Sequence, residues 1–488
     1  MKNELKDELR GLSDFIGFSA PEIPKYLILN NFLSCYFNHR KADNNFYDFD
    51  DFKNVLTCEE SDKNQLEKLI KSFNKYFSQY TGESIMAKKS KAIYLPINEN
   101  MIIVDGNNPL RNLPHRLMKK SNYGDDIKKD LKNYLFNDSA GTNEILSFLC
   151  SNIKDSKNIK KKVESETAEE GERYFKKLAD KMSKDLKIVL THSNFMQLDY
   201  YRKIEYLSTL LTFYAVLYII KRPTRGKIST PVIICKGSGD ANTNSNEFHR
   251  ACLVNYGKIR EGFTTLFKDY FILCLDKIEN ITISNINGYI EVESDRIKSS
   301  ISEFIKAKEL GNPNININTN EKLLKAFSLT SEGNPRTIPK NEFIIRYINF
   351  LKSNSGSSFT KTSSALPTLG REAGLIFPLS RSRYKYFALS EELAEFFVRL
   401  YLSSKGIDYD YLDSFVTWLE SQYDICIIKS KKLEVYLRSI NAKISAKDFI
   451  QNEDALIQNL TNTNCLIKMS DNGYVITLPE KKGEFKLL

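Results

Sequence analysis

Apolar positions follow a helical period over most of this chain. Near the start, "IPKYLILNNFLSCYF" and "NQLEKLIKSFNKYF" place apolar residues three and four positions apart, which is typical of amphipathic helices. The run "YLSTLLTFYAVLYII", residues 206–220, is apolar on almost every face. Its length of about 15 residues is shorter than the roughly 20 that span a bilayer, so it predicts a buried core helix.

Alternating apolar and polar positions predict a few short strands between the helices. "AIYLPINENMIIVDG" is typical of two strands around a turn, and "ITISNINGYIEVE" of a pair joined by Asn-Gly. Near the end, residues 466–469 and 474–478 alternate on either side of "SDNG", whose residues tolerate positive φ and predict a β-hairpin. The predicted fold class is mainly α with small β elements (α+β), in a multidomain helical body.

Residues 354–365 mark the clearest domain boundary. Its sequence is "NSGSSFTKTSSA", and its Ser, Thr and Gly content predicts a linker. The sequence therefore predicts an N-terminal, mainly helical domain with a short β-hairpin (1–186), a central helical domain around the buried helix 206–220 (187–353), and a C-terminal domain (366–488).

The C-terminal domain begins with two strongly patterned helices. Ser390 is a suitable N-cap for "EELAEFFVRLYLSSK", and Gly406 is a suitable C-terminal stop. The predicted core stripe of this helix is Leu393, Phe396, Phe397, Leu400 and Tyr401. The predicted stripe of the next helix is Leu412, Phe415, Val416 and Leu419.

Two further helices and the hairpin complete the domain. "DICII" predicts a short strand and "KKLEVYLRSI" a short helix. Ser445 then caps "AKDFIQNEDALIQNL", whose predicted apolar face is Phe449, Ile450, Leu456, Ile457 and Leu460. The order of elements over residues 408–479 resembles the winged helix-turn-helix domain, which implies that the last helix reads DNA and the hairpin is the wing.

Charge along this segment leaves the DNA interpretation open. The last helix carries Lys447 against Asp448, Glu453 and Asp454, a balance that repels phosphates. Its amides, Gln451, Asn452, Gln458 and Asn459, have the chemistry to read base edges.

Upstream, "RSRYKYF" mixes cations with tyrosines, which suits a phosphate backbone or stacked bases, or else a basic strand packed through its tyrosines. The candidate DNA-binding residues are Arg371, Arg381, Arg383, Lys385, Lys447, Lys468, Lys481 and Lys482. A winged helix used for protein–protein assembly is the competing hypothesis.

Composition permits a polyanionic partner without requiring one. The net charge is +10 over 488 residues, with 71 Lys and Arg against 61 Asp and Glu. Hydrophobic content of 41% and aromatic content of 12% exclude a mostly disordered chain.

The 8 cysteines form no CxxC pair and the 4 histidines are far apart, so no zinc site is expected and the cysteines are expected to be reduced. "MKNELKDELRGLSDF" lacks the apolar region of a signal peptide, so we expect a soluble, cytoplasmic protein without a membrane partner.

Three possible chemical sites are weakly supported. "VIICKGSGDAN" lacks the P-loop lysine and the third dinucleotide-binding glycine. The polar loop 237–246 is therefore interpreted as a flexible strand-to-helix connector, long enough to close over a partner. His249 and Cys252 share a helix face near Glu247, but a satisfied histidine is the simpler interpretation. Glu291, Glu293 and Asp295 with Lys298 resemble part of a Mg²⁺ nuclease site. The sequence predicts no catalytic residue, no metal ligand and no cofactor.

The chain resembles accessory subunits of bacterial anti-phage restriction systems, specifically the DptG-like family of phosphorothioation-dependent restriction. The resemblance lies in "LSTLLTFYAVLYII", "NEFHRACLVNYGKIREGF" and "FPLSRSRYKYFALSEELAEFFVRLYL", and includes no diagnostic motif. It implies a non-catalytic subunit that assembles with other defence-system subunits, among them a DNA-translocating ATPase or helicase, and acts against foreign DNA. Direct contact with double-stranded DNA is the separate hypothesis that rests on the basic residues above. The alternatives are a divergent Mg²⁺-dependent nuclease and a winged-helix transcriptional regulator.

Overall fold

A computed structural model describes a set of segments spread over most of the chain. These are residues 25–37, 109–119, 121, 123, 126–136, 172–221, 230–235, 247–262, 287–292, 327, 336–354, 365–378, 384–470 and 473–483.

The described residues are mostly helical, as the sequence predicts. The helices are α1 (Lys25–Ser34), α2 (Pro109–Lys119), α3 (Asp126–Phe136), α4 (Glu172–Thr191), α5 (Ser193–Met196), α6 (Tyr200–Lys221), α7 (247–262), α8 (Lys340–Asn354), α9 (Ala365–Glu372), α10 (Glu391–Lys405), α11 (Leu412–Tyr423), α12 (Lys431–Ser439) and α13 (Ala446–Asn462), followed by a 3₁₀ turn (Pro479–Lys481).

The strands form small sheets, four of them within the described segments. They are β1 (Val232–Ile233), β2 (Tyr289–Val292), β3 (Arg336–Pro339), β4 (Ile376–Phe377), β5 (Tyr386–Phe387), β6 (Tyr409–Tyr411), β7 (Ile425–Cys426), β8 (Leu466–Lys468) and β9 (Tyr474–Thr477). β1 pairs in parallel with β7, whereas β2–β3 and β4–β5 are antiparallel pairs. The largest sheet has three antiparallel strands in the order β6-β9-β8.

Helix α6 contains the run predicted to be a buried core helix, and this prediction is confirmed. Every residue from Tyr206 to Ile220 is buried. The helix packs most extensively against α1 and α9, and the ring of Phe213 lies 5.0 Å from that of Phe397 on α10. By length and composition α6 is able to cross a membrane, but 94% of its apolar window is buried within the fold, as in the core helix of a soluble protein.

One continuous hydrophobic core joins the three predicted segments. It contains Ile28 from the first, Leu210 from the second and Leu393 from the third. Helix α9, which begins at the end of the predicted linker, packs directly on α6. The division into domains at 187 and 354–365 stays a prediction, since this packing shows only that the segments share a core.

Several local predictions in the C-terminal segment are confirmed. The N–H of Leu393 donates to Ser390 Oγ (3.1 Å) at the start of α10, and Gly406 ends this helix with a φ of 65°. Ser445 and Asp448 form a capping box at the start of α13. The predicted apolar stripes of α10 and α11 are buried, and the predicted hairpin forms between β8 and β9.

The predicted apolar face of α13 is wrong at one position. Ile450 is 57% exposed, whereas Phe449, Leu456 and Leu460 are buried together with the polar residue Asn452. At 3.6 residues per turn, 449, 452, 456 and 460 define one face, and 450 lies about 100° away from 449. The periodicity of apolar residues placed Ile450 in the core and left Asn452 out, because it depends on side-chain polarity and carries no information about tertiary hydrogen-bond partners.

The strand pairing predicted within "ITISNINGYIEVE" is only partly described. The second half forms β2, which pairs with β3 from residue 336 onward. The first half, the strands predicted around residues 92–106, the loop 237–246 and most of the linker lie outside the described residues.

A buried carboxylate links three core helices. Asp185 on α4 accepts hydrogen bonds from the hydroxyls of Tyr214 on α6 and Tyr423 on α11, both at 2.5 Å. Burial raises the pKa of Asp185 above its usual value, and the two hydroxyls and Lys181 oppose that rise without cancelling it. All three side chains are buried, so Asp185 satisfies two phenolic donors that have no access to water.

Replacing Asp185 tests this link. We expect Asp185→Ala to lower the free energy of unfolding by about 2–4 kcal/mol, because two buried hydroxyls lose their acceptor. Asp185→Asn keeps one acceptor oxygen of similar shape and is expected to cost less. Urea unfolding followed by circular dichroism measures both. Equal stability of Asp185→Ala and the wild type contradicts a structural role for the carboxylate.

The raised pKa also predicts a pH dependence. An acid whose pKa is raised by folding holds its proton in the folded state after the unfolded chain has lost it, so its contribution to stability falls as pH rises. The loss begins near the unfolded pKa of about 3.9 and is complete above the folded pKa. We therefore expect the wild type to lose stability relative to Asp185→Asn as pH rises through that window. Parallel pH profiles of the two proteins, measured by urea unfolding, contradict the shift.

Candidate nucleic-acid interface

The C-terminal unit, residues 408–479, begins with a strand, β6, that the sequence did not predict, and its other elements follow in the predicted order. β6 is followed by α11, β7, α12, α13 and the β8–β9 hairpin. Helices α11 and α13 both pack on the three-stranded sheet, which places the hairpin beside the end of α13. Strand β7 does not join this sheet but pairs with β1, from residues more than 190 positions earlier. The C-terminal unit is thereby built into the rest of the protein.

Helix α13 is held by its own asparagines. Asn452 Nδ2 donates hydrogen bonds to the carbonyls of Ile234 (2.9 Å) and Ile427 (2.6 Å), the residues that directly follow the two parallel strands β1 and β7. Asn459 Nδ2 donates to the carbonyl of Leu389 (2.9 Å). The suggestion that these two amides read base edges is therefore wrong, because they face the protein and their donors are occupied.

The outward face of α13 has a mixed and partly acidic character. Lys447, Gln451, Asp454 and Gln458 are exposed. Burial raises the pKa of Glu453, and the neighbouring carboxylates Asp413 and Asp454 raise it further. Glu453 itself is half-buried, so of these carboxylates Asp454 is the one that α13 exposes, and its charge disfavours a phosphate backbone nearby.

The lysines of the wing differ in their availability. Lys468 is exposed on β8. Lys481 forms an ion pair with Asp408 next to β6, and Lys482 Nζ lies 3.3 Å from Asn464 Oδ1. Within the described segments no carboxylate pairs with Lys447 or Lys468. These two are the candidate cations best placed to meet a phosphate.

The upstream basic segment is only partly described. Arg371 lies in the last turn of α9, and Lys385 donates a hydrogen bond to the carbonyl of Pro378. Burial lowers the pKa of Lys385, and the positive charge of Arg371 lowers it further, which places the two cations in one electrostatic neighbourhood. Arg381 and Arg383 lie outside the described residues.

The two tyrosines of that segment have different environments. Tyr384 is 73% exposed, whereas Tyr386 is buried with its ring 4.7 Å from that of His249 on α7. The interpretation of a strand packed through its tyrosines therefore holds for Tyr386. Tyr384 has the exposure that stacking on a base requires.

Two open grooves meet at the start of α10. One, of 520 Å³, contains Lys25 and Arg371 together with Glu372 and Glu392. The other, of 610 Å³, runs between α13 and the start of α10, past Cys235, Tyr386, Asn459 and Glu391. Carboxylates line both grooves, so neither is a cationic channel for nucleic acid.

The other chemical sites considered from sequence are not assembled in the described part of the chain. Glu291 is exposed on β2, and its proposed partners Glu293 and Asp295 lie outside the described residues. No group of three or more His, Cys, Asp or Glu residues suited to a metal ion occurs within the described segments. Sequence reasoning missed Cys235, which lies 3.4 Å from His249 Nδ1. Its position at the end of a predicted strand was the available signal.

The anchoring of α13 is testable by mutation. We expect Asn452→Ala to lower the free energy of unfolding by about 2–3 kcal/mol, because two buried carbonyls lose their donor. Gln458→Ala, an exposed amide on the same helix, is the matched control and is expected to stay within about 0.5 kcal/mol of the wild type. Urea unfolding measures both. If the two variants are equally stable, α13 is not held through Asn452.

Comparison with known proteins adds no assignment. No protein-family model matches the chain, and searches of the curated proteins and of the solved structures found no match.

Proposed function

We propose that the chain is a non-catalytic subunit of a bacterial, cytoplasmic DNA-targeting defence complex. In this proposal it bridges partner proteins, among them an ATPase or helicase, and its C-terminal unit is a winged helix that contacts the backbone of duplex DNA. The observation that carries the proposal is the three-stranded sheet β6-β9-β8 with α11 and α13 packed on it and α12 between these two helices in the chain. Three helices followed by a β-hairpin wing is the arrangement of winged DNA-binding domains.

The surface of α13 supports backbone contact and assembly more than base reading. Its inward amides bond to the carbonyls of Ile234, Ile427 and Leu389, and its outward face carries the exposed carboxylate of Asp454. Lys447 and Lys468, which pair with no carboxylate of the described segments, lie at the first turn of the helix and on the wing strand. Phosphate contacts position a protein on DNA without reading sequence. We therefore propose non-specific duplex binding.

The contacts between the C-terminal unit and the helical body support a bridging role for this subunit. Arg399 on α10 is 2% exposed and forms an ion pair with Glu480 (2.5 Å), just after the wing. It also donates to the carbonyl of Asn194 (2.8 Å) on α5. A partner bound to the helical body and DNA bound to the wing are thereby connected through buried contacts.

The three stretches that carry the family resemblance are neighbours in the fold. Phe213 of the first stretch contacts Phe397 of the third, and the ring of Tyr256 in the second lies 5.4 Å from that of Phe387 in the third. The contact among parts of these stretches supports a common structural role. It supplies no catalytic residue.

Salt-dependent DNA binding tests the proposal. We expect the full chain to bind a labelled duplex of about 30 base pairs at about 50 mM salt, with a log–log slope near −0.9 for each phosphate contact. The double variant Lys447→Ala/Lys468→Ala is expected to bind more weakly and to reduce the slope by about 1.8 if each lysine neutralises one phosphate. Fluorescence anisotropy across a salt series measures both quantities.

Removal of two lysines elsewhere is the matched control. Lys129→Ala/Lys187→Ala removes the same charge from exposed positions on α3 and α4, and we expect its slope to equal that of the wild type. Equal losses in both double variants indicate net charge alone and contradict binding through the wing. No binding by the wild type at low salt rejects the DNA contact and leaves the C-terminal unit as an assembly surface.

A further inference from the structure

Two cysteines and a histidine meet beneath the groove beside α13. Cys235 follows β1, and its Sγ lies 3.4 Å from Nδ1 of His249 on α7. Cys252 is three residues after His249 on the same helix, so both face the end of β1. Cys235 and Cys252 belong to one buried cluster and both are free thiols.

The two thiols have different environments. Cys235 is 7% exposed and is one of the residues that line the 610 Å³ groove. Cys252 is fully buried, and burial raises its pKa well above the usual value, with a hydrogen bond to Cys235 raising it further. Cys252 is therefore a protonated thiol in contact with Cys235, and Cys235 alone has both access and a neighbouring base.

His249 is held in position to act on Cys235. Its ring packs against Tyr386 on β5 at 4.7 Å, and the backbone N–H of Cys235 donates to the carbonyl of Phe387 (2.9 Å) on the same strand. An imidazole next to a thiol stabilises the thiolate, which is the reactive form of cysteine. The three residues thus have the arrangement of a reactive thiol, its base and a resolving thiol.

We propose that Cys235 is a peroxide-reactive thiol that forms a reversible disulfide with Cys252. This modification site is separate from the DNA contact and does not depend on the proposed function.

The reaction balances with hydrogen peroxide as the oxidant. His249 takes the thiol proton of Cys235, the thiolate sulfur attacks one peroxide oxygen, and the O–O bond breaks. The leaving hydroxide takes the proton from His249 and departs as water, which leaves Cys235 as a sulfenic acid. Cys252 then attacks Cys235 Sγ, the S–S bond forms as the S–O bond breaks, and the thiol proton leaves with the hydroxyl as a second water. Two thiols lose two electrons and one peroxide becomes two waters. A dithiol reductant reverses the modification.

The disulfide would tie α7 to the strand that anchors α13. Cys235 directly follows Ile234, whose carbonyl accepts a hydrogen bond from Asn452. Ile234 also pairs with Phe387. Oxidation therefore adds a covalent link at the point where the C-terminal unit joins the rest of the protein.

Peroxide treatment of the full-length reduced protein tests the proposal. Peptide mass spectrometry is expected to find Cys235 and Cys252 joined, with the loss of two hydrogen atoms, and dithiothreitol is expected to restore both thiols. In Cys252→Ser we expect Cys235 to accumulate as a sulfenic acid that dimedone traps. His249→Asn is expected to slow oxidation of Cys235 by about tenfold, the change in thiolate fraction for one unit of pKa.

Matched variants make the result decisive. Cys426 is buried in the same cluster, and Cys426→Ser is expected to leave formation of the Cys235–Cys252 link unchanged. Thermal melting of each reduced variant checks that it is folded. Failure to find the joined peptide in folded wild type, or a link from Cys235 to Cys426 instead, overturns the proposal. An unchanged oxidation rate in folded His249→Asn rejects His249 as the base.

Discussion

The burial of α6 is the constraint on which the rest of the structure depends. A helix that is apolar on every face is stable in water only if other elements surround it. Helices α1, α2, α4 and α9 pack around α6, and α10 reaches it through Phe397. The hydroxyls of Ser208 and Thr212 are satisfied within α6, since they donate to the carbonyls one turn earlier, at 2.7 Å each. Parts of the chain far apart in sequence are therefore drawn into one core.

Buried polar groups then determine how the surrounding helices are arranged. Tyr206 on α6 donates to Glu395 on α10 (2.5 Å), and Arg399 one turn later pairs with Glu480 after the wing. An ion pair offsets the cost of burying a charge only if its geometry is good and further hydrogen bonds are made. Arg399 makes such a further bond to the carbonyl of Asn194. Together with Asp185 and its two tyrosines, these contacts select one packing of α4, α5, α6, α10 and α11 among the many that hydrophobic burial alone permits.

The same arrangement explains why the C-terminal unit is more than an appended domain. Its strand β7 pairs with β1, and Asn452 on α13 donates to the carbonyls that follow these two strands. The amide chemistry that suggested base recognition is used for internal support instead. Lys447 and Lys468 are among the cations that stay exposed on this unit. The thiol pair lies under this junction, so a covalent change there acts on the support of α13 and not on its surface.

Features determined by short stretches of sequence were predictable from the sequence itself. Ser390 and Ser445 cap their helices because the acceptor and the N–H groups it satisfies are three residues apart. The hairpin follows from alternation around a Gly-containing turn, and the burial of α6 follows from a run with no polar face. Tertiary structure alone decided the partner of β7, the burial of Asn452 in place of Ile450, the pairing of Lys481 with Asp408 and the 3.4 Å approach of Cys235 to His249. Each of these depends on which distant backbone or charge arrives beside the residue, and neither residue type nor periodicity encodes that information.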